Sequence, residues 1–195
     1  IAGISVWLLE KNKKCLQIGL AALMVFTGLR SYAFWQVNQQ QKIIVYNVPQ
    51  HPAIDFIEGR KYFFYGDSSL VTDDFLRNFH IKPSRILNRI EPADKLPALF
   101  VNDKFVHYGS KNILLINDNT KFQLLGEKIP IDAVIVSQNP KLYIATLANT
   151  FAVKKIIFDG SVPARKMKYW VKDCDSLHIP YHSVAEKGAF EMSVN

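Results

Sequence analysis

The sequence predicts a mixed α/β chain of the α+β kind, in which a transmembrane helix hairpin precedes a domain that starts with strands and ends in alternating strands and helices. Three observations predict it. Cys15 to Trp35 is an apolar run with one charge, Arg30; three runs between Lys42 and Tyr65 are rich in β-branched and aromatic residues; and a strand–helix rhythm sets in after Asp132. The 195 residues are 49% hydrophobic and 21% charged, an apolar balance that excludes a disordered tail.

The charge of +7 is uneven. Residues 1–41 hold Lys11, Lys13, Lys14 and Arg30 against Glu10 alone, so the first fifth supplies +3 and the remainder only +4. A surplus that small over the remainder is no footprint of bulk nucleic-acid binding. It speaks first of membrane topology. The 21 residues from Cys15 to Trp35 extend about 30 Å as a helix, one hydrocarbon thickness. Tyr32, Phe34 and Trp35 are the rings expected at an interface, and Arg30 can extend to the headgroups. Ahead of this run stand the nine uncharged residues IAGISVWLL, which argue against the rival reading of a signal peptide cleaved near Ser31–Ala33. The chain therefore divides into residues 1–9, remnant of a preceding transmembrane segment; 10–14, cytoplasmic basic loop; 15–35, transmembrane helix; 36–41, connector; and 42–195, extracytoplasmic domain.

In that domain Lys42–Val48, Ala53–Glu58 and Lys61–Tyr65 read as a meander, with a turn at Val48–Pro52 because neither proline suits a central ladder. Thr72 is a candidate cap for a helix running to about Phe79. Lys104–Tyr108 and Ile113–Asn117 read as a strand pair around Gly109-Ser110. Then come strand Ala133–Val136, helix Leu142–Thr150, strand Lys155–Phe158, helix Val162–Leu177 with Ser161 as N-cap, and strand Tyr181–Val184. A hairpin over Lys187-Gly188 closes the chain at Ala189–Val194.

Chemistry-bearing motifs are sparse. Neither Ser137–Lys141 nor Asp159–Ser161, which follow strands, is a glycine-rich phosphate loop. Of the five histidines only His178 and His182 are spaced for joint ligation, and Pro180 keeps them off one helix face. The two cysteines form no framework, and Cys174 lies on an apolar helix face where a thiol is inert. Asp67, Asp118 and Asp159 each follow a strand, as turn formers or as divalent-cation ligands. Lys154, Lys155, Arg165, Lys166, Lys168 and Lys172 are the densest basic group outside the membrane segment. They read either as a solvated face or as phosphate contacts.

The order of features resembles the C-terminal end of ComEC-type competence proteins, bacterial inner-membrane channels that admit single-stranded DNA during transformation. In that family a metallo-β-lactamase-like domain follows the last membrane helices. Its opening block, Asp-Val-Gly-Gln-Gly-Asp-Ala, is matched by Asn47–Ala53, which keeps Val48, Gln50 and Ala53 and lacks both glycines and both aspartates. The strand ending in Asp-Ala-Gly resembles Tyr62–Gly66 with Asp67, and the one ending in Gly-Asp resembles Ile113–Asn117 with Asp118. The block Ser-His-His-Gly-Ser resembles Ser137 onward, with Gln138 and Asn139 in place of the paired histidines. The family's His-x-His-x-Asp-His motif has no counterpart between Asp67 and Asp118.

The resemblance implies a reduced metallo-β-lactamase-like β/α sandwich without metal or other cofactor and without catalysis, in a multi-pass membrane protein whose domain faces the periplasm. Single-stranded DNA, membrane lipid and other DNA-uptake proteins are the implied partners, with the six basic residues as candidate DNA contacts. One alternative is a metal-dependent nuclease acting on the non-transported strand, with ligands from Asp67, Asp118, Asp159 and His182. Another is a structural cap of a membrane protein.

Overall fold

The computed structural model describes residues 13–119, 122 and 127–194, and the chain divides into two compact units between Gln39 and Gln40. The expected remnant at 1–9 and residues 10–12 of the basic loop lie outside the described residues. Helix α1, Lys13–Asn38, is longer at both ends than the expected span. It takes in Lys13 and Lys14 and the first half of the expected connector. Its 23 residues Leu16–Asn38 are long and apolar enough to cross a membrane, about 35 Å at the helical rise. Leu23, Met24, Val25, Phe26 and Leu29 are all exposed, so the apolar surface of this helix extends around its circumference. Thr27 returns its hydroxyl to the Leu23 carbonyl at 2.9 Å, so that polar group is satisfied within the helix.

The second unit is built on two main sheets. The meander forms as expected: β1 (Gln41–Val45), β2 (Ala53–Glu58) and β3 (Lys61–Gly66) pair antiparallel. Here Ile43, Val45, Ile54 and Phe56 face one side, while Ile44, Ala53 and Ile57 face the other. After β3 the chain is helical in short pieces, α2 (Ser69–Thr72), α3 (Asp74–Leu76), a π-turn at Arg77–Ile81 and α4 (Lys82–Leu87). Asp73 rather than Thr72 makes the cap, accepting the N–H groups of Phe75 and Leu76. The segment runs past the expected end at Phe79. Pro83 has no N–H and its ring crowds the carbonyl four residues back, and the wider π-turn just before it relieves both. Two-residue β4 (Glu91–Pro92) then pairs with β3.

The second sheet contains β5 (Leu99–Asn102), β6 (Phe105–Tyr108), β7 (Lys111–Ile116), β9 (Ala133–Val136), β11 (Ile156–Phe158) and β12 (Tyr181–Ser183), ordered β12-β11-β9-β7-β6-β5. Strands β7, β9, β11 and β12 are mutually parallel, and β5 and β6 are antiparallel additions. A small parallel pair, β8 (Ile129–Ile131) with β10 (Phe151–Val153), stands apart. The crossovers are α5 (Ile144–Thr150) and α6 (Ala164–Ser176). Both faces of β9 and β11 are buried, which is why AVIV and IIF carry no polar residue.

Alternation along the strands produces the layers. Ile113, Leu115, Ile135 and Ile157 meet Ile43, Val45, Ile54 and Phe56 in a core between the sheets. Leu114, Val134, Val136, Ile156 and Phe158 point the other way, onto Ile144, Leu147, Met167, Trp170 and Cys174 of the helices. Leu70, Ile81 and Ile90 cover the outside of the first sheet. The order is helix, sheet, sheet, helix. Tyr108 spans the central core, edge-on to Phe56 at 5.6 Å, and donates to the Ile57 carbonyl at 2.5 Å.

Two further expectations are corrected. The closing hairpin does not form: after β12 the chain makes the short helix α7 (Val184–Lys187), turns at Gly188 with φ 82°, and ends as β13 (Phe190–Ser193), paired with β1 of the other sheet. Ser161 is not the cap of α6, whose N-cap is Pro163. The Ser161 hydroxyl instead donates to Asp159 and accepts the Gln138 N–H.

Candidate functional site

Strands β3, β7, β9 and β11 all deliver their ends to one rim of the sandwich. Asp67, Asn117, Ser137 and Asp159 follow those four strands in turn, and the Asn47–Pro52 turn sits among them. Close packing makes the rim compact. A Cβ on Gly160 would come within 2.7 Å of the Val48 carbonyl oxygen, and the Gln50 N–H donates to the Gly160 carbonyl at 3.2 Å. A cleft of about 250 Å³ opens there, lined by Tyr65, Asp67, Asn117, Ser137 and Gln138 among others. Gln50 (φ 67°) and Gln138 (φ 61°) both hold left-handed backbone beside it, a conformation that costs a residue with a Cβ.

Most polar groups of the rim bond to one another. Asp67 accepts from His51 Nδ1 at 2.7 Å and from the Ser69 N–H at 2.9 Å, and these two bonds, the backbone one foremost, hold its carboxyl below the usual range. Asp159 is 0% exposed. Its Oδ1 accepts the Ser161 N–H at 2.9 Å and hydroxyl at 2.5 Å, while Oδ2 has no partner among the described residues. Burial pushes this carboxyl up. The divalent cation of the nuclease alternative does not fit this donor set, because no three His, Cys, Asp or Glu side chains among the described residues come together. The proposed nuclease ligands disperse: Asp118 pairs with Lys104, and His182 Nε2 is bonded to the Gly188 carbonyl at 3.0 Å. Cys174 is buried on α6 as expected, its thiol pushed up to about 12 by that burial.

The loop that passes Ser137 and Gln138 goes on to wall a second, larger groove of about 620 Å³, lined by Asn139, Lys141, Tyr143, Arg165, Lys166, Tyr169 and neighbours. Helix α6 holds this loop in place. Trp170 Nε1 donates to the Leu142 carbonyl at 3.1 Å, and Lys166 Nζ to the Pro140 carbonyl at 3.0 Å. The Lys141 N–H donates to Asn119 Oδ1 at 2.6 Å. Tyr143 and Tyr169 are 76% and 62% exposed, although both border a concavity. Lys141 and Arg165 are exposed beside them.

Of the six basic residues expected to act together, the fold groups only some. Arg165 and Lys166 line the groove, and Lys168 and Lys172 are exposed farther along α6. Lys154 and Lys155 precede β11, whereas α6 follows it, so they lie at the other end of the strand. Lys154 is bonded to Asp132 at 2.7 Å, and Lys155 lies 5.3 Å from the Phe190 ring. The sequence carries no expectation for Tyr143 or Tyr169, and Lys141 enters there only as the end of the Ser137–Lys141 loop. The available signal was a basic residue and a tyrosine within three residues of Pro140.

The family model of the ComEC C-terminal domain matches residues 43–194. No curated protein and no solved structure matches the chain. The match begins at β1, ends after β13, and takes in every loop of the rim. The chain belongs to the ComEC family of membrane-associated competence proteins, and residues 43–194 are its C-terminal domain.

Proposed function

We propose that residues 42–195 form a non-catalytic, extracytoplasmic domain of a multi-pass DNA-uptake channel, a reduced metallo-β-lactamase-like scaffold that holds single-stranded DNA in the groove between the Ser137–Tyr143 loop and α6. The layer order helix, sheet, sheet, helix supports the scaffold, as does the arrival of the matched loops at one rim. The apolar α1, with Lys13 and Lys14 at its start, supports residues 15–35 as a span whose far side carries the domain. One observation carries the DNA reading: two exposed tyrosine rings and two exposed cations share one groove. Single strands are held by such pairings, rings stacking on bases and cations tracking the phosphates. Lys166 and Trp170 act as positioning residues that fix the loop.

The test is fluorescence anisotropy of a labelled oligothymidine with the full chain in detergent. Lys141→Glu with Arg165→Glu weakens binding about tenfold or more and flattens the salt dependence, since each lost phosphate contact removes about 0.7 from the slope for single strands. Unchanged affinity and slope would overturn the groove. Cleavage of the oligonucleotide with manganese or zinc added, abolished by Asp67→Ala, would overturn the non-catalytic reading.

A further inference from the structure

The helical segment over the first sheet leaves large apolar side chains uncovered. Phe75, Phe79, Ile86 and Leu87 are between 67% and 81% exposed, and Phe75 and Phe79 stack on each other at 6.1 Å, so they share a face. The opposite side is committed to the core through Ile81 and through Arg85, whose guanidinium bonds Asp55 twice at 2.9 Å. Lys82, Ile86 and Leu87 therefore form the outward side of α4. Exposed apolar groups on this scale mark a surface that something covers.

Two observations say what covers it. Between Phe75 and Ile90 there is no acidic residue, and of the exposed acids just outside, Asp74 is paired with Arg77 and Glu91 with Arg60, while Lys82 and Arg89 are exposed among the apolar groups. An apolar helical face flanked by cations matches the boundary of an anionic bilayer, where rings and aliphatic chains enter the acyl region and cations meet headgroups. The second observation is the chain path. Gln40 follows the last residue of α1 by two positions. Its side-chain amide donates to the Gly59 carbonyl at 2.7 Å and the Asn88 carbonyl at 3.0 Å. Asn88 is the residue after Leu87. The apolar end of α4 is thus fastened to the place where the chain arrives from its membrane-spanning helix.

We propose that the face formed by Phe75, Phe79, Lys82, Ile86, Leu87 and Arg89 docks on the anionic lipid surface. This rests on the reading of α1 as a membrane span. A docked face holds the domain against the bilayer rather than leaving it to swing on a two-residue tether.

A nitroxide scan tests it, on the full chain with Cys15 and Cys174 replaced by alanine, reconstituted into phosphatidylcholine–phosphatidylglycerol vesicles. Labels go on Leu87→Cys, on Tyr169→Cys as a water-facing reference, and on Ala22→Cys within α1. Docking predicts that Leu87→Cys collides with oxygen more often than with a water-soluble nickel chelate, as Ala22→Cys does, while Tyr169→Cys shows the reverse. Nickel accessibility at Leu87→Cys equal to that at Tyr169→Cys, with Ala22→Cys in lipid, overturns the docking and leaves the span standing. Ala22→Cys in water overturns the span and the docking together. A Leu87→Cys label shielded from both reagents shows a protein partner on this face and overturns the lipid assignment.

Discussion

Helix α6 covers its sheet with Met167, Trp170 and Cys174, all 5% exposed or less, and turns its cations outward. The segment over the other sheet inverts that division: it sends Arg85 inward to Asp55 and leaves Phe75, Phe79, Ile86 and Leu87 outside. Both layers do the same structural work, sealing one face of a sheet. What they offer to their surroundings is opposite. One presents cations and tyrosines, a surface for a hydrated polyanion; the other presents hydrocarbon with a basic border, a surface for a bilayer. On the two proposals, a nucleic-acid strand and a lipid surface meet two different outer layers of one sandwich.

The largest effect expected from breaking this contrast is at Arg85. Its guanidinium is the countercharge of a carboxylate with 0% side-chain exposure, and it also lies 3.9 Å over the Tyr62 ring. Arg85→Met leaves Asp55 charged and unpaired, at a cost of about 3–5 kcal/mol. Urea midpoints of the full chain in detergent measure it. Adding Asp55→Asn removes the orphaned charge, keeps an acceptor for the Tyr46 hydroxyl now bonded at 2.8 Å, and recovers most of the loss. A double variant as unstable as Arg85→Met would show that packing on Tyr62, rather than charge, holds this layer.

Next in size are the rings of the other layer. Tyr143→Ala and Tyr169→Ala each weaken oligothymidine binding by about 1–3 kcal/mol if a base stacks on the ring, and leave the urea midpoint nearly unmoved because both rings are exposed. Trp170→Phe separates support from contact. It keeps most of the packing against Phe158, whose ring is stacked at 5.7 Å, and deletes the bond to the Leu142 carbonyl. The expected cost is about 1 kcal/mol of stability. Affinity falls as well, because the loop bearing Tyr143 loses an anchor; an unchanged affinity would show that the remaining bonds position it.

The layers themselves were legible in the sequence wherever burial left a local mark. AVIV at β9 and IIF at β11 are readable because both faces are buried, and the amphipathic spacing of α6 because one is. Elements without such a mark were missed. Strand β5 is an edge strand with Phe100 and Val101 exposed, so it has no clean alternation, and β8 contains Pro130. The final strand failed for another reason. Gly188 supplies a hairpin-like turn, but the partner of β13 is β1, nearly the whole chain away, and no local pattern encodes a partner that distant. The same limit applies to the groove. The polar loop Ser137–Lys141 was visible residue by residue. That Tyr143 and Tyr169 border one concavity depends on the bonds from Trp170 and Lys166, which are tertiary.

The smallest effect lies at the loop where the two sheets share a rim. Asp159 is buried, and that burial raises its carboxyl above the ordinary range near 4 against the opposing bonds from Ser137 and Ser161. The sign follows from which state ionises first. Below the ordinary value both states are protonated and nothing is lost. As pH rises through it the unfolded chain releases its proton first, and stability drops until the folded carboxyl also ionises, after which the penalty is constant. Asparagine cannot ionise, and its carbonyl can keep the Ser161 bonds. Asp159→Asn is therefore more stable than the parent chain near neutral pH, by about 1 kcal/mol, the buried charge it removes outweighing the unpaired amide N–H groups it leaves. The advantage shrinks as pH falls toward 4. Urea midpoints of both chains at acidic and neutral pH measure it, other titrations cancelling in the difference. An advantage independent of pH would move the cause from the carboxylate charge to packing against Val48 and Gly160. A variant less stable at every pH would mean that the buried carboxylate organises the rim.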